Sequence, residues 1–269
     1  GKGVHVSMAV AELGGDVQLA GFWGGATGEL INKECEKLNI ACHGPQLKEW
    51  NRFCINIKSE SKFSETEILG HGPNINSGDI EDFHKTLTTL IPNADCITLS
   101  GSWPSGADKS AYAELIKLSH SFDCRVFFDC SGEFLLEALK LKPFCVHINQ
   151  HEADWAFDTG NIIRDLEKLA ANCELAVITY GEKGAYFLFE DEIYHAECRI
   201  KAVYSSIGSG DCLLAGLAVA FTRDESIRDA IKLAVACGAA NCLREELGMF
   251  YKHDVKKLLN QVIIKIINE

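Results

Sequence analysis

Ile207-Gly208-Ser209-Gly210-Asp211, continuing into Cys212-Leu213-Leu214-Ala215-Gly216-Leu217-Ala218-Val219-Ala220-Phe221, joins a small-residue turn to a run that is apolar on every side. A helix of that composition belongs inside a core. Its first turn carries backbone N–H groups without helical partners and the positive end of the helix dipole. Glycines there let an anion come close to the backbone, a setting that suits a phosphate. Asp211 is the odd member, because a carboxylate repels a phosphate. Its presence makes chemical sense if it takes a proton from a hydroxyl that then attacks phosphorus. An Asp that only caps the helix after a glycine turn is the structural alternative.

The chain around this stretch has 269 residues, 38 acidic against 26 basic, and a net charge of -12. That balance disfavours general binding to nucleic acid or to an anionic membrane. Any anionic ligand must be held by local cations and backbone amides. Twelve cysteines are scattered singly, several inside apolar runs, with no Cys-x-x-Cys pair. They predict reduced, buried thiols in a cytoplasmic protein rather than disulfides or a zinc site. No signal peptide and no apolar run long enough to span a bilayer is visible.

Toward the N-terminus the pattern predicts a helix through about Leu13 and a strand over Val17–Phe22. A helix capped by Thr27 then runs to about Leu38. Arg52 to Lys58 alternates: Phe53, Ile55 and Ile57 fall on one side, Arg52, Cys54, Asn56 and Lys58 on the other. Thr66–Leu69 is its expected partner in a small separate sheet. From Ile80 to Ile178 short apolar strands alternate with helices, the pattern of a parallel sheet covered on both faces. Those strands end in Ser100, Asp129, Asn149 and Thr179, which predicts a polar edge where ligands bind in open parallel sheets. A hairpin about Glu190-Asp191-Glu192 and a helix from about Ser226 to Leu243 follow. Val255, Leu258, Leu259, Val262, Ile263 and Ile266 predict a closing amphipathic helix.

Four motifs then stand in a telling order: Gly1-Lys2-Gly3-Val4-His5-Val6, Ser100-Gly101-Ser102-Trp103-Pro104-Ser105-Gly106, Thr179-Tyr180-Gly181-Glu182-Lys183-Gly184-Ala185 and Gly208-Ser209-Gly210-Asp211. In these the chain resembles the ribokinase-like (PfkB) carbohydrate kinases along essentially its whole length. Glu65-Thr66-Glu67-Ile68 before Gly72-Pro73, and Asp129-Cys130-Ser131-Gly132-Glu133, are similar to the branch of 1-phosphofructokinases and tagatose-6-phosphate kinases. Enzymes of that branch phosphorylate a ketohexose monophosphate to a bisphosphate. The resemblance implies an α/β fold: a three-layer αβα sandwich with a mainly parallel central sheet. It further implies one kinase domain over 1–269, a β-sheet lid over 50–72, ATP as co-substrate and Mg2+ as cofactor.

Carried over residue by residue, Asp211 would be the base, and the amides of Gly208, Ser209, Gly210 and Asp211 the anion hole. Asn149, Thr179, Gly181, Lys183, Gly184 and Asn241 would bind the nucleotide, and Asn149 with Glu152 would hold magnesium indirectly. Gly1, Lys2, Gly3, His5, Arg52 and Ser102 would bind the sugar phosphate. An apolar outer lid face through Phe53, Ile55 and Ile57 asks for a partner, so a homodimer through the lid sheets is expected.

The chain departs from the family pattern in places. It begins inside the Gly-Gly-Lys-Gly motif, so the family's first strand and a sugar-binding Asp are expected to be missing from it. His5 stands for the usual Asn, His147 for the usual Lys, Ser205-Ser206 for Asn/Asp-Thr, and Cys212 for Ser. Fructose 1-phosphate is the expected acceptor, with tagatose 6-phosphate or fructose 6-phosphate as alternatives. A binding protein without turnover is the alternative from another class. A dinucleotide oxidoreductase is excluded by the lack of Gly-x-Gly-x-x-Gly after an early strand.

Overall fold

The computed structural model describes residues 1–58 and 65–267. In chain order it contains α1 (Lys2–Glu12), β1 (Gln18–Ala20), β2 (Trp23–Gly24), α2 (Gly25–Lys37), β3 (Ala41–His43), β4 (Gln46–Leu47), β5 (Cys54–Lys58), β6 (Glu65–Leu69) and α3 (Ser77–Leu90). The alternating part follows: β7 (Cys96–Ser100), α4 (Ala111–His120), β8 (Arg125–Asp129), α5 (Gly132–Leu139), β9 (Cys145–Asn149), α6 (Gln150–Phe157), α7 (Ile162–Ala170) and β10 (Leu175–Thr179). The chain ends through β11 (Ala185–Phe189), β12 (Glu192–Glu197), α8 (Ser209–Thr222), α9 (Ile227–Asn241), α10 (Lys252–Leu259) and β13 (Ile263–Ile267). Two compact units form: Gly1–Val17, Leu90–Ser102 and Lys109–Glu269 make the first; Gln18–Thr89 and Trp103–Asp108 make the second.

The first unit is built on a seven-stranded sheet of order β13-β12-β11-β10-β9-β8-β7. Strands β7 to β10 are parallel neighbours, and β11, β12 and β13 are added antiparallel to one another. Val126, Phe127, Phe128, Cys145, Val146, Ile148 and the run Leu175–Ile178 are all fully buried. Continuous apolar strands therefore run between two helical layers, as parallel strands require. Helices α4, α6 and α7 pack on one side of them, and α1, α8 and α9 on the other. This is the three-layer αβα sandwich expected from the sequence. Cys212 through Ala220 of α8 are buried without exception, which accounts for the lack of a polar face on that helix.

The second unit holds two short parallel pairs, β1 with β3 and β2 with β4, and the antiparallel pair β5–β6. Its aromatic cluster joins Phe22 to Phe83, with ring centroids 4.6 Å apart, and both to Trp103. In the β5–β6 ribbon Ile55 lies opposite Ile68 and Ile57 opposite Thr66. Phe53, Ile55, Ile57 and Ile68 are all at least half exposed. Of the expected lid span 50–72, residues 59–64 lie outside the described residues.

Two local expectations need correction. The closing amphipathic helix stops at Leu259, and Ile263–Ile267 instead form an edge strand antiparallel to β12. The helical spacing of Val262, Ile263 and Ile266 is overridden by four β-branched isoleucines after a break at Asn260-Gln261. The N-cap of α2 is Gly24; Thr27 lies inside the helix, its hydroxyl donating to the carbonyls of Gly24 and Asn51. A short helix over Gln150–Phe157 follows β9, with Glu152 in its first turn.

Candidate active site

The ends of β7 to β10 lie side by side, with Ser100 in register with Asp129 and Asn149 with Thr179. The polar edge expected from the sequence therefore forms within the first unit. Asp129 is its hub. The carboxyl is 1% exposed, and Lys2 of α1 donates from Nζ to its Oδ1 at 2.7 Å. His147 of β9 brings Nδ1 to 3.2 Å from Oδ2, and its Nε2 lies 3.2 Å from Thr179 Oγ1. Lys2, Asp129, His147 and Thr179 thus form one polar chain across the strand ends. Burial opposes ionisation of Asp129, but His147 and Lys2 outweigh it and hold the carboxyl well below the usual range. Burial likewise opposes the Lys2 charge, and Asp129 outweighs it, so the ammonium is held above its ordinary value.

Above this row starts α8. Gly208 is left-handed, with φ +84, and a Cβ there would strike the backbone of Gly248. The N–H of Ser209 donates to Ser206 O at 3.1 Å. The amides of Gly208, Gly210 and Asp211 donate to no acceptor among the described residues. Of the four amides expected to form an anion hole, three are therefore open and one is engaged. Gly210 lies directly over the His147 ring, where a Cβ would come within 2.8 Å of Cε1. Open first-turn amides at the positive end of a 14-residue helix fit a phosphoryl group.

Asp211 is 4% exposed and pairs through Oδ2 with His5 Nδ1 at 2.7 Å. Burial raises its pKa, the His5 hydrogen bond lowers it, and the nearby Asp129 raises it again; the net direction is upward. A carboxylate with raised affinity for a proton is a stronger base than a solvated one.

The remaining expected residues fall into three groups. Gly1 and Gly3 belong to the opening turn of α1, where Gly1 O accepts from the amides of Val4 and His5. Ser102 is exposed at the margin of the first unit, and Arg52 is exposed in the second. Asn149 and Glu152 form a capping box: Asn149 Oδ1 accepts from the amides of His151 and Glu152, and Glu152 Oε2 accepts from Asn149 N at 2.8 Å.

Around the nucleotide loop, Gly181–Lys183 make a 3-10 turn and Lys183 lies over the Tyr180 ring at 4.3 Å. Gly184, with φ +87, turns the chain into β11, where a Cβ would strike Ala196 O. Asn241 is 1% exposed and binds the chain itself, donating to Ile207 O and Ser209 Oγ and accepting from Met249 N. It thereby fastens the glycine turn to the end of α9. Cys212 is fully buried and its thiol is pushed up by burial, in keeping with an inert side chain.

For magnesium, the described residues contain no cluster of three His, Cys, Asp or Glu. With both engaged atoms of the capping box set aside, Glu152 retains its second carboxylate oxygen. One carboxylate plus substrate phosphates and water is a normal magnesium site.

A family model described as pfkB family carbohydrate kinase matches residues 1–251. The tagatose-6-phosphate kinase of Staphylococcus epidermidis is 28% identical over 271 residues, covering 97% of this chain and 87% of that protein. The 1-phosphofructokinase of Borreliella burgdorferi is 31% identical over 272 residues, covering 98% of this chain and 87% of that protein. Phosphofructokinase-2 from Escherichia coli, solved in complex with substrates and products, matches the fold with a TM-score of 0.88 at 21% identity, covering 97% of this chain and 87% of that one.

Proposed function

The chain belongs to the pfkB family of carbohydrate kinases, and from that footing we propose that it moves the terminal phosphoryl of ATP onto a ketohexose monophosphate, with fructose 1-phosphate as acceptor and fructose 1,6-bisphosphate as product. The observation that carries this reading is the pairing of open first-turn amides on α8 with a buried carboxylate one residue further on. Relatives named for tagatose 6-phosphate and for 1-phosphofructokinase activity favour a ketohexose phosphate as the acceptor class.

In this reading the amides of Gly208, Gly210 and Asp211 receive the charge that develops on the travelling phosphoryl. As the sugar oxygen attacks phosphorus in line, its proton passes to Asp211 Oδ1 and the bond to the ADP oxygen breaks. Lys2, with Gly1, Gly3, His5 and Ser102, binds the sugar phosphate, and its ammonium supplies a cation to the anionic ligand. Thr179, Gly181, Lys183, Gly184 and Asn149 serve the nucleotide side, and Asn241, buried and bonded to its own chain, holds the glycine turn in place instead of meeting the nucleotide. Glu152 and Asn149 would hold Mg2+, which when bound would neutralise charge along the phosphates.

Coupled ADP release against a panel of ketohexose monophosphates tests the assignment. The expected outcome is the highest kcat/KM with fructose 1-phosphate. A preference for tagatose 6-phosphate or fructose 6-phosphate moves the acceptor within the class. Ligand-induced thermal stabilisation with no ADP release from any sugar phosphate contradicts the kinase reading.

The same proposal extends to assembly and setting. The half-exposed Phe53, Ile55, Ile57 and Ile68 of the β5–β6 ribbon make a face suited to a second copy, giving a homodimer through lid sheets. Sedimentation at micromolar protein is expected to give the mass of two chains, and Ile55→Asp the mass of one. A one-chain mass for the parent contradicts the dimer. Among the described residues no helix is long and apolar enough to cross a membrane, and all twelve cysteines are free thiols. Free thiols on this scale favour a reducing, cytoplasmic setting.

A further inference from the structure

Among the described residues, His5 is the titratable group whose side chain bonds directly to the carboxylate assigned as base. Its Nδ1 lies 2.7 Å from Asp211 Oδ2, although the two residues are 206 positions apart. An ionised carboxylate only accepts, so the neutral imidazole must carry its proton on Nδ1 and donate it to Oδ2. The ring is not free to turn away. Its backbone is fixed in α1 by a 3.1 Å bond from His5 N to Gly1 O. On the far side it lies against Gly248, where φ is +68 and a Cβ would coincide with the ring's own atoms. Gly208 of the anion-hole turn meets the same glycine. Three elements, α1, the start of α8 and the loop before Phe250, therefore converge on this imidazole.

The charges around it are few. Lys2 on the same helix is taken up by Asp129, and Asp129 repels Asp211 from the end of β8. In the loop carrying Gly248, Arg244 pairs with Glu246 at 3.5 Å and lies over the Tyr251 ring. From α8 the facing group is Asp211 itself.

We propose that His5 is a positioning residue for this kinase: its Nδ1–H fixes the Asp211 carboxylate so that Oδ1 meets the acceptor hydroxyl. The proposal rests on the assignment of Asp211 as base. His5 transfers no proton in the reaction; the proton moves from the sugar hydroxyl to Asp211. The neutral imidazole orients the base and leaves it at full strength.

The test uses the full chain with its sugar phosphate and MgATP. The kcat of the parent at pH 8 is compared with those of His5→Asn, which keeps an N–H donor, and His5→Ala, which removes the donor. His5→Ala is expected to lose about tenfold to a hundredfold in kcat, the scale of a misplaced reacting group, and His5→Asn to recover most of that loss. Nitrogen-15 resonances of labelled histidine supply a readout apart from turnover: the signal lost in His5→Asn should belong to a ring protonated on Nδ1. Equal kcat losses in His5→Asn and His5→Ala, or a lost signal from a ring without a proton on Nδ1, overturn the proposal while leaving Asp211 as base. An Asp211→Asn enzyme as fast as the parent removes the base assignment itself.

Discussion

Asp211→Asn is expected to lose at least about a hundredfold in kcat, the scale of general-base removal, and to fold at least as stably as the parent at neutral pH. The second half of that expectation separates a base from a structural cap. Burial and Asp129 push the Asp211 pKa up, more than His5 and Lys2 pull it down. A carboxylate whose folded pKa exceeds its unfolded value near 3.9 binds its proton more tightly when folded. Its ionised form therefore costs stability above the folded pKa, and that cost disappears as pH falls through it. Asparagine removes the cost and still offers Oδ1 to His5 Nδ1–H. Urea unfolding at pH 7.5 should place the variant at or above the parent, with the gap closing toward pH 4. A variant with parental turnover means that another group takes the proton. A variant with lowered stability and lowered turnover together means that Asp211 is chiefly a structural residue.

Lys2→Met carries the next largest effect, and on two observables. KM for the sugar phosphate is expected to rise at least about tenfold, the loss of one charge-assisted contact to phosphate. Stability is expected to fall as well, because Asp129 is left buried with His147 alone. Breaking a fully buried pair costs about 3–5 kcal/mol; the Lys2 side chain is 40% exposed, so solvent screening reduces the expected loss to about 1–3 kcal/mol. Adding Asp129→Asn should recover part of it, a coupling that a double-mutant cycle measures. The pH dependence follows from the same pair. Asp129 is held below the usual carboxylate range, so its contribution is present above the ordinary Asp pKa and is lost as pH falls below about 4. In Lys2→Met that acid-dependent loss should shrink. A variant with parental KM and parental urea midpoint contradicts both assignments.

Much of the fold was legible because its signals are local. The α8 run is apolar on all sides, and strands such as Val126–Phe128 and Leu175–Ile178 are apolar without alternation, so burial and a two-sided parallel sheet follow from composition alone. The polar residues ending those strands also predicted the edge that carries Asp129, Asn149 and Thr179. The C-terminus misled because Val255, Leu258, Leu259, Val262 and Ile266 keep helical spacing across the turn at Asn260-Gln261 where the helix ends. Only pairing with β12, a long-range event, decides between helix and strand for the isoleucines that follow. The short helix after Asn149 did leave a local trace. Asn149-x-x-Glu152 is a capping box in form, and Glu152 is the carboxylate of that helix's first turn.

What sequence could not give is the partnership of side chains from distant segments. Lys2 and Asp129 are 127 residues apart, and His5 and Asp211 are 206 apart. The motifs named all four residues without indicating that they pair. His147, noted as a departure from lysine, turns out to bridge Asp129 and Thr179 beneath Gly210. Asn241 likewise anchors the turn that forms the phosphate cradle.

The most direct test of the phosphoryl-transfer account is a crystal structure of the chain with a non-hydrolysable ATP analogue, Mg2+ and the sugar phosphate. The terminal phosphate should lie on the amides of Gly208, Gly210 and Asp211, with the acceptor hydroxyl within hydrogen-bond reach of Asp211 Oδ1. A complex in which both ligands are bound and that hydroxyl meets a different base, with the phosphate away from the start of α8, contradicts it.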